Sequence, residues 1–117
     1  MAVEQLTDEN FEKKLGDAEL AVVDFHAAWC GMCVIFRRKF VELASEFPRV
    51  SFFVCDVKRA PKLRSTVDIE EVPYFGLYIE GELMDGFSTT EAGNLRERLE
   101  ACFGADRMTG GKVLPIR

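Results

Sequence analysis

Leu20-Ala21-Val22-Val23-Asp24-Phe25-His26 runs, across only Ala27-Ala28-Trp29, into Cys30-Gly31-Met32-Cys33. The first seven residues form a nearly continuous apolar run, the pattern of a strand covered on both faces. Beyond Cys33 the period changes. Phe36, Phe40, Leu43, Ala44 and Phe47 fall at helical spacing and draw one apolar stripe, which Pro48 closes. Arg37-Arg38-Lys39 reads as a solvated face of that helix, with steering of acidic partners as the alternative. A buried strand thus delivers a C-x-x-C pair to the start of a helix.

Upstream, Thr7-Asp8-Glu9-Asn10 reads as a helix start, with Phe11 and Leu15 on one face and Gly16-Asp17 as its end. Downstream, Val50 to Val57 is a second buried strand, and Ala60-Pro61 opens a short helix running to about Thr66. Tyr74 to Ile79 and Leu83 to Phe87 flank Glu80-Gly81-Glu82 as a β-hairpin. Ser88 and Glu91 have the spacing of a capping box ahead of a last helix that buries Ala92, Leu95, Leu99 and Cys102 or Phe103. The expected order is β-α-β-α-β-α-β-β-α. That is an α/β chain whose central mixed β-sheet has parallel inner strands, an antiparallel hairpin at one edge and helices on both faces. One domain is expected over residues 1–103. Residues 104–117, with Gly110-Gly111 and Pro115 and no clear period, form a C-terminal tail expected to be poorly ordered.

The 117 residues are 48% apolar, enough for one packed interior. A net charge of −5 repels phosphate backbones, so no nucleic-acid partner is expected. No apolar run approaches the roughly 18–20 residues needed to cross a bilayer, so no membrane role is expected. Met1-Ala2-Val3-Glu4-Gln5-Leu6 lacks the basic region and apolar core of a secretory signal, and a cytoplasmic protein is the expectation.

Four cysteines are present, at 30, 33, 55 and 102. Cys55 in mid-strand and Cys102 in the last helix read as core residues, with regulatory oxidation as the alternative. Cys30 opens a helix, where unpaired backbone N–H groups and the helix dipole converge on its sulfur. That environment favours the thiolate, the nucleophile of disulfide exchange. Cys33, one turn further in, is close enough to close a small disulfide ring and better shielded. Cys30 is therefore the expected attacking group and Cys33 the resolving one. Zinc needs four ligands, which one C-x-x-C and a distant His26 do not supply in one chain. A cluster bridging two chains is the weaker metal alternative.

Val22 through Cys33, with its W-C-G-M-C ending, resembles the active-site segment of the thioredoxin family, whose usual form is W-C-G-P-C. Val72-Pro73, forty residues after Cys33, resembles that family's Ile/Val–cis-Pro element. The resemblance runs in order from about Val3 to Phe103. It implies the thioredoxin fold, with about five strands and about four helices. It implies that Asp24 is the buried acid behind the cysteine pair, its pKa raised by burial, able to take the proton of Cys33; a structural Asp with a local hydrogen bond is the alternative. It implies that Pro73 is cis and exposes the backbone of Val72 to a substrate chain. Trp29, with Gly31 and Met32 beside it, would offer the docking surface, and Tyr74 and Thr89 would line the same groove.

The departures from the family pattern carry expectations too. Met32 in place of proline restores a backbone N–H near the thiols, which argues for a less reducing couple. His26 stands where tryptophan is common and reads as a packed structural residue. Val34 replaces a lysine, and Val54 falls where a buried charge is common, so Asp24 is expected to lack a cationic neighbour. Tyr74 replaces threonine, and Thr89 replaces a glycine, narrowing the groove.

The expected function is thiol–disulfide exchange with protein substrates through a mixed disulfide, an electron-transport role in cell redox homeostasis. No bound cofactor is expected beyond the Cys30–Cys33 pair. An external reductant, a thioredoxin reductase or a low-molecular-weight thiol, would recharge a monomer. The alternative is an interaction module of the same fold with vestigial redox activity.

Overall fold

Leu20–His26 is the centre of the sheet, and its first six residues are buried. The structure is a computed structural model and describes residues 3–109. The elements are β1 (Glu4–Gln5), α1 (Phe11–Asp17), β2 (Leu20–His26), α2 (Gly31–Glu46), β3 (Val50–Asp56), α3 (Pro61–Arg64), β4 (Tyr74–Ile79), β5 (Glu82–Ser88), α4 (Ala92–Phe103) and α5 (Ala105–Thr109). The strand order is β1-β3-β2-β4-β5. β2 runs parallel to β3 and antiparallel to β4, with Asp24 opposite Val54 on one side and Phe75 on the other. This mixed five-stranded sheet between helices is the thioredoxin fold.

Alternation along the strands sorts the interior into two layers. Val22, Phe52, Val54, Phe75 and Leu77 face α2 and α4 and pack with Phe36, Phe40, Leu43, Leu95 and Leu99. Ala21, Val23, Phe25, Phe53 and Cys55 face α1 and α3, where Phe11, Leu15 and Leu63 cover them. Phe36 meets Phe75 at 5.2 Å between ring centres and Phe40 meets Phe52 at 5.0 Å, so α2 is seated across two strands. Each fully buried phenylalanine contributes about 1.5–3 kcal/mol, and that seating is what fixes the N-terminal end of α2 over β2.

The ends of elements differ in places from the sequence reading. Thr7 and Asn10 exchange hydrogen bonds, side chain to backbone, ahead of α1. The β4–β5 turn is only Glu80-Gly81, with φ of 50° and 86°, the paired positive values of a tight hairpin turn. Ser88 does not cap α4. It ends β5 opposite Tyr74, and its hydroxyl donates to the Glu71 carbonyl at 2.8 Å. Glu91 is the N-cap of α4 and makes no side-chain capping bond; Thr89 Oγ1 braces the approach to it, accepting the Glu91 N–H at 3.1 Å and the Asn94 side-chain amide at 3.0 Å.

The tail expected from residue 104 begins with the short helix α5. α5 returns onto the main layer, Met108 is fully buried there, and its carbonyl accepts the Arg49 N–H at 2.9 Å. The remainder of that expected tail, residues 110–117, lies outside the described residues. Among the described residues no helix is long and apolar enough to cross a membrane.

Candidate active site

Cys30 is the N-cap of α2. Its backbone is extended, its N–H is tied to the Ala27 carbonyl at 3.1 Å, and its Sγ accepts the Cys33 N–H at 3.0 Å. The sulfur thus occupies the place that a serine or aspartate oxygen takes at ordinary helix starts. Cys30 and Cys33 are joined as a disulfide. With Ala27 they form a small cluster apart from the two main layers, flanked by Val57 and Val72. Cys30 is 7% exposed and Cys33 2%, so an approaching thiol meets Cys30 first.

Around this nearly covered disulfide the surface is apolar and open. Trp29 is 81% exposed, and Met32, Val34 and Ile35 are exposed with it, as is Gly31. On the other side the Val72–Pro73 bond is cis, Pro73 is buried, and the Val72 carbonyl oxygen lies 3.8 Å from Cys30 Sγ. Tyr74, which opens β4, is half-buried. It meets Phe25 edge-on at 6.0 Å and lies across Gly86, where a Cβ would collide with its hydroxyl. Thr89 follows the Ser88 that pairs with Tyr74, but its hydroxyl is committed to the start of α4. Trp29 to Cys33 and Val72-Pro73 are therefore brought together at the disulfide. Tyr74 and Thr89 stand beside them with their polar atoms engaged in the fold or held against β5.

Asp24 lies beneath α2 and is fully buried. Its strand neighbours on the same face, Val54 and Phe75, are apolar, and neither carboxylate oxygen has a hydrogen-bond partner. Loss of hydration disfavours the charged form, and the pKa is pushed up from 3.8 to about 7, with the Arg37 guanidinium pulling the other way. The local hydrogen bond of the structural alternative is therefore not made.

Arg37 corrects the sequence reading. Asp24 was expected to lack a cation and Arg37 to sit on a solvated face. Instead Arg37 Nε is buried 3.9 Å from Asp24 Oδ2, while Arg38 and Lys39 are exposed. The signal was present in the spacing, because Arg37 follows Cys33 by four residues and shares its helix face. Arg37, Cys33, His26 and Asp56 also line one cleft of ≈ 340 Å³ together with Ala27, Ala28 and Val34. His26 is held below its ordinary pKa, first by burial and then by Arg37, against the opposing pull of Asp56. Cys55 is buried, and its thiol is pushed up to about 12 by burial and by nearby carboxylates. Cys102 is half-buried and also raised, mainly by burial. Among the described residues no group of three or more His, Cys, Asp or Glu is placed to hold a metal ion.

The geometry agrees with what the chain is similar to. The model of the Thioredoxin family matches residues 2–101. The chain is 37% identical over 98 residues to a thioredoxin of Geodia cydonium, covering 80% of this chain and 92% of that one. It is 32% identical over 100 residues to a thioredoxin of Gallus gallus, covering 86% and 95%. Among solved structures, Plasmodium falciparum thioredoxin superposes with a TM-score of 0.80 at 25% identity, covering 85% of this chain and 98% of that one. Thioredoxin f2 of Chlamydomonas reinhardtii shares the fold, with a TM-score of 0.81 at 24% identity over 88% and 98% of the two chains.

Proposed function

The chain belongs to the thioredoxin family and is a thiol–disulfide oxidoreductase, and from that premise we propose how its residues divide the work. The Cys30 thiolate attacks a target disulfide, forming a bond from its sulfur to one target sulfur and releasing the other as thiolate. Cys33 then loses its proton to Asp24 and attacks Cys30 Sγ. The Cys30–target bond breaks, the target leaves fully reduced, and the Cys30–Cys33 disulfide is the product. A single observation carries this reading: Cys30 Sγ is bonded to Cys33, accepts the Cys33 N–H in the first turn of α2 and lies against the Val72 carbonyl.

Exposed Trp29 and Met32 supply the apolar contact for a protein substrate, and the Val72 backbone supports strand-like pairing with it. Tyr74 and Thr89 narrow the groove at its far side. The oxidised pair is recharged by an external reductant, a thioredoxin reductase or a low-molecular-weight thiol, and the protein works as a cytoplasmic monomer without a bound organic cofactor. The rival reading, an interaction module with vestigial redox activity, is not favoured, because the cysteine pair is complete and joined.

Insulin reduction driven by dithiothreitol tests the reading. Catalysis by the natural chain and none by Cys30→Ser is the expected result. Equal rates in both would end the oxidoreductase assignment. Trapping with Cys33→Ser would then identify the targets as mixed disulfides on Cys30.

A further inference from the structure

Asp24 is asked to accept a proton, yet everything its own strand and the adjoining strands place beside it argues against its ionisation. Val54 and Phe75 flank it in register, and its oxygens are without partners. The titratable and charged groups of its neighbourhood come from three elements. β2 itself contributes His26, β3 contributes Cys55 and Asp56, and α2 contributes Cys33 and Arg37. Its β4 neighbour is Phe75, which carries no charge. Asp56 is an acid and Cys55 projects into the opposite layer, while burial holds His26 toward its neutral form. Arg37 alone of these groups brings a lasting positive charge.

Its placement is specific. Nε is buried without a hydrogen-bond partner and lies 3.9 Å from Asp24 Oδ2, beyond hydrogen-bond length but within the range at which opposite charges act strongly in a protein interior. The side chain is about a third exposed, so it runs from the buried acid out to the cleft it shares with Cys33 and His26. α2 therefore carries the resolving cysteine and, one turn later, the cation that faces the acid.

We propose that Arg37 is the positioning residue of this site, holding its guanidinium against Asp24 so that the buried carboxyl stays available, in its charged form, to take the proton of Cys33. The proton leaves Cys33 Sγ for Asp24, the sulfur pair attacks Cys30 Sγ of the mixed disulfide, and the target thiolate departs. Arg37 exchanges no proton and touches no substrate. The proton-transfer step rests on the oxidoreductase reading; the Asp24–Arg37 coupling does not.

The experiment separates the two. Asp24 is titrated by carboxyl ¹³C NMR in the oxidised natural chain and in Arg37→Met, Arg37→Gln and Arg37→Lys. Insulin reduction is followed against pH in the same proteins. Removing the charge should raise the Asp24 midpoint by about one unit or more. The acid limb of the pH profile should move by the same amount, which for a one-unit rise from about 7 lowers the rate at pH 7 about fivefold and leaves it unchanged well above the midpoint. Arg37→Lys should restore most of both. In an Asp24→Asn background the Arg37 substitutions should have no further effect. An Asp24 midpoint that stays put in both Arg37→Met and Arg37→Gln overturns the proposal, as does an equal shift in Arg37→Lys. A midpoint that moves with an unmoved pH profile overturns the proton-transfer step. If the natural chain fails to reduce insulin while the midpoint moves, the coupling is upheld and the proposed function falls.

Discussion

Cys30 Sγ accepts the backbone N–H of Cys33 at 3.0 Å, so the sulfur proposed as nucleophile is itself the cap of the helix carrying the other cysteine of the pair. An anion there meets an N–H donor and the positive end of a sixteen-residue helix. Cys55 has the opposite setting. With its thiol at about 12, only about one molecule in 10⁵ carries the thiolate at pH 7. After reduction of the native protein, iodoacetamide at pH 7 should therefore modify Cys30 first and leave Cys55 untouched until the chain unfolds. Peptide mapping over time reads this directly. Modification of Cys55 at a rate near that of Cys30 would contradict the placement of both.

Asp24 makes stability depend on pH in a definite direction. In the folded chain it titrates at about 7 against an ordinary 3.8, so the unfolded chain gives up its proton first. Unfolding then releases protons between those values, and stability falls as pH rises. The contribution is fully present below pH 4 and is lost on passing through about 7. A shift of this size amounts to about 4 kcal/mol. Asp24→Asn, which mimics the neutral acid, should leave stability nearly unchanged at pH 4 and raise it by up to about 4 kcal/mol at pH 8. Urea unfolding at the two pH values decides it, and an equal gain at both would show that Asp24 does not titrate as described.

The parts of this fold that were legible in the sequence are those where burial writes a period. The run Leu20 to His26 and the stripe Phe36, Phe40, Leu43 could be read because a covered face is apolar at nearly every position, Asp24 being the exception that marks the site. Three features were not legible, each for its own reason. Arg37-Arg38-Lys39 looks like one basic face, but successive helical residues are turned by about 100°, and only the first is aimed at the sheet. Val54 leaves β3 without a charge beside Asp24, whereas the charge arrives from α2. Ser88 has capping-box spacing, yet its pairing with Tyr74 claims it for β5, and the N-cap of α4 falls at Glu91. The strand–C-x-x-C–helix arrangement marks the cysteine pair locally, whereas Asp24 and Pro73, forty residues after Cys33, were legible only through the family resemblance. The Arg37–Cys33 spacing placed Arg37 on the covered face of α2, but only the packing of α2 across β2 shows that this face meets Asp24.

Trp29 is the one large aromatic side chain given almost wholly to solvent, and no core cluster includes it. Its exposure beside Cys30 fits the proposed docking of substrates larger than a single disulfide. Trp29→Ala should leave stability within about 0.5 kcal/mol, as for other surface changes away from the core. It should lower kcat/KM for insulin about tenfold, the scale of losing an aromatic anchor at an interface. Reduction of a small aromatic disulfide should change far less. Equal losses on the large and small substrates would place Trp29 in the chemistry instead of in docking.

Met108 is the sole described residue of α5 that is buried, and it packs against the main layer beside the far end of α2. Its carbonyl accepts the Arg49 N–H, just past the turn that follows Phe47, so α5 closes the end of the layer opposite the cysteines. Over the sixteen residues Gly31–Glu46 the helix advances about 24 Å, which puts the reactive sulfur well beyond reach of a change at Met108. Met108→Ala removes a fully buried side chain and should cost about 2–5 kcal/mol, measured by urea unfolding. The insulin-reducing rate per folded molecule should stay the same. A loss of activity without a loss of stability would mean that α5 couples to the active site. An unchanged stability would mean that the chain beyond Phe103 contributes nothing to the layer, and that the domain ends where its last long helix does.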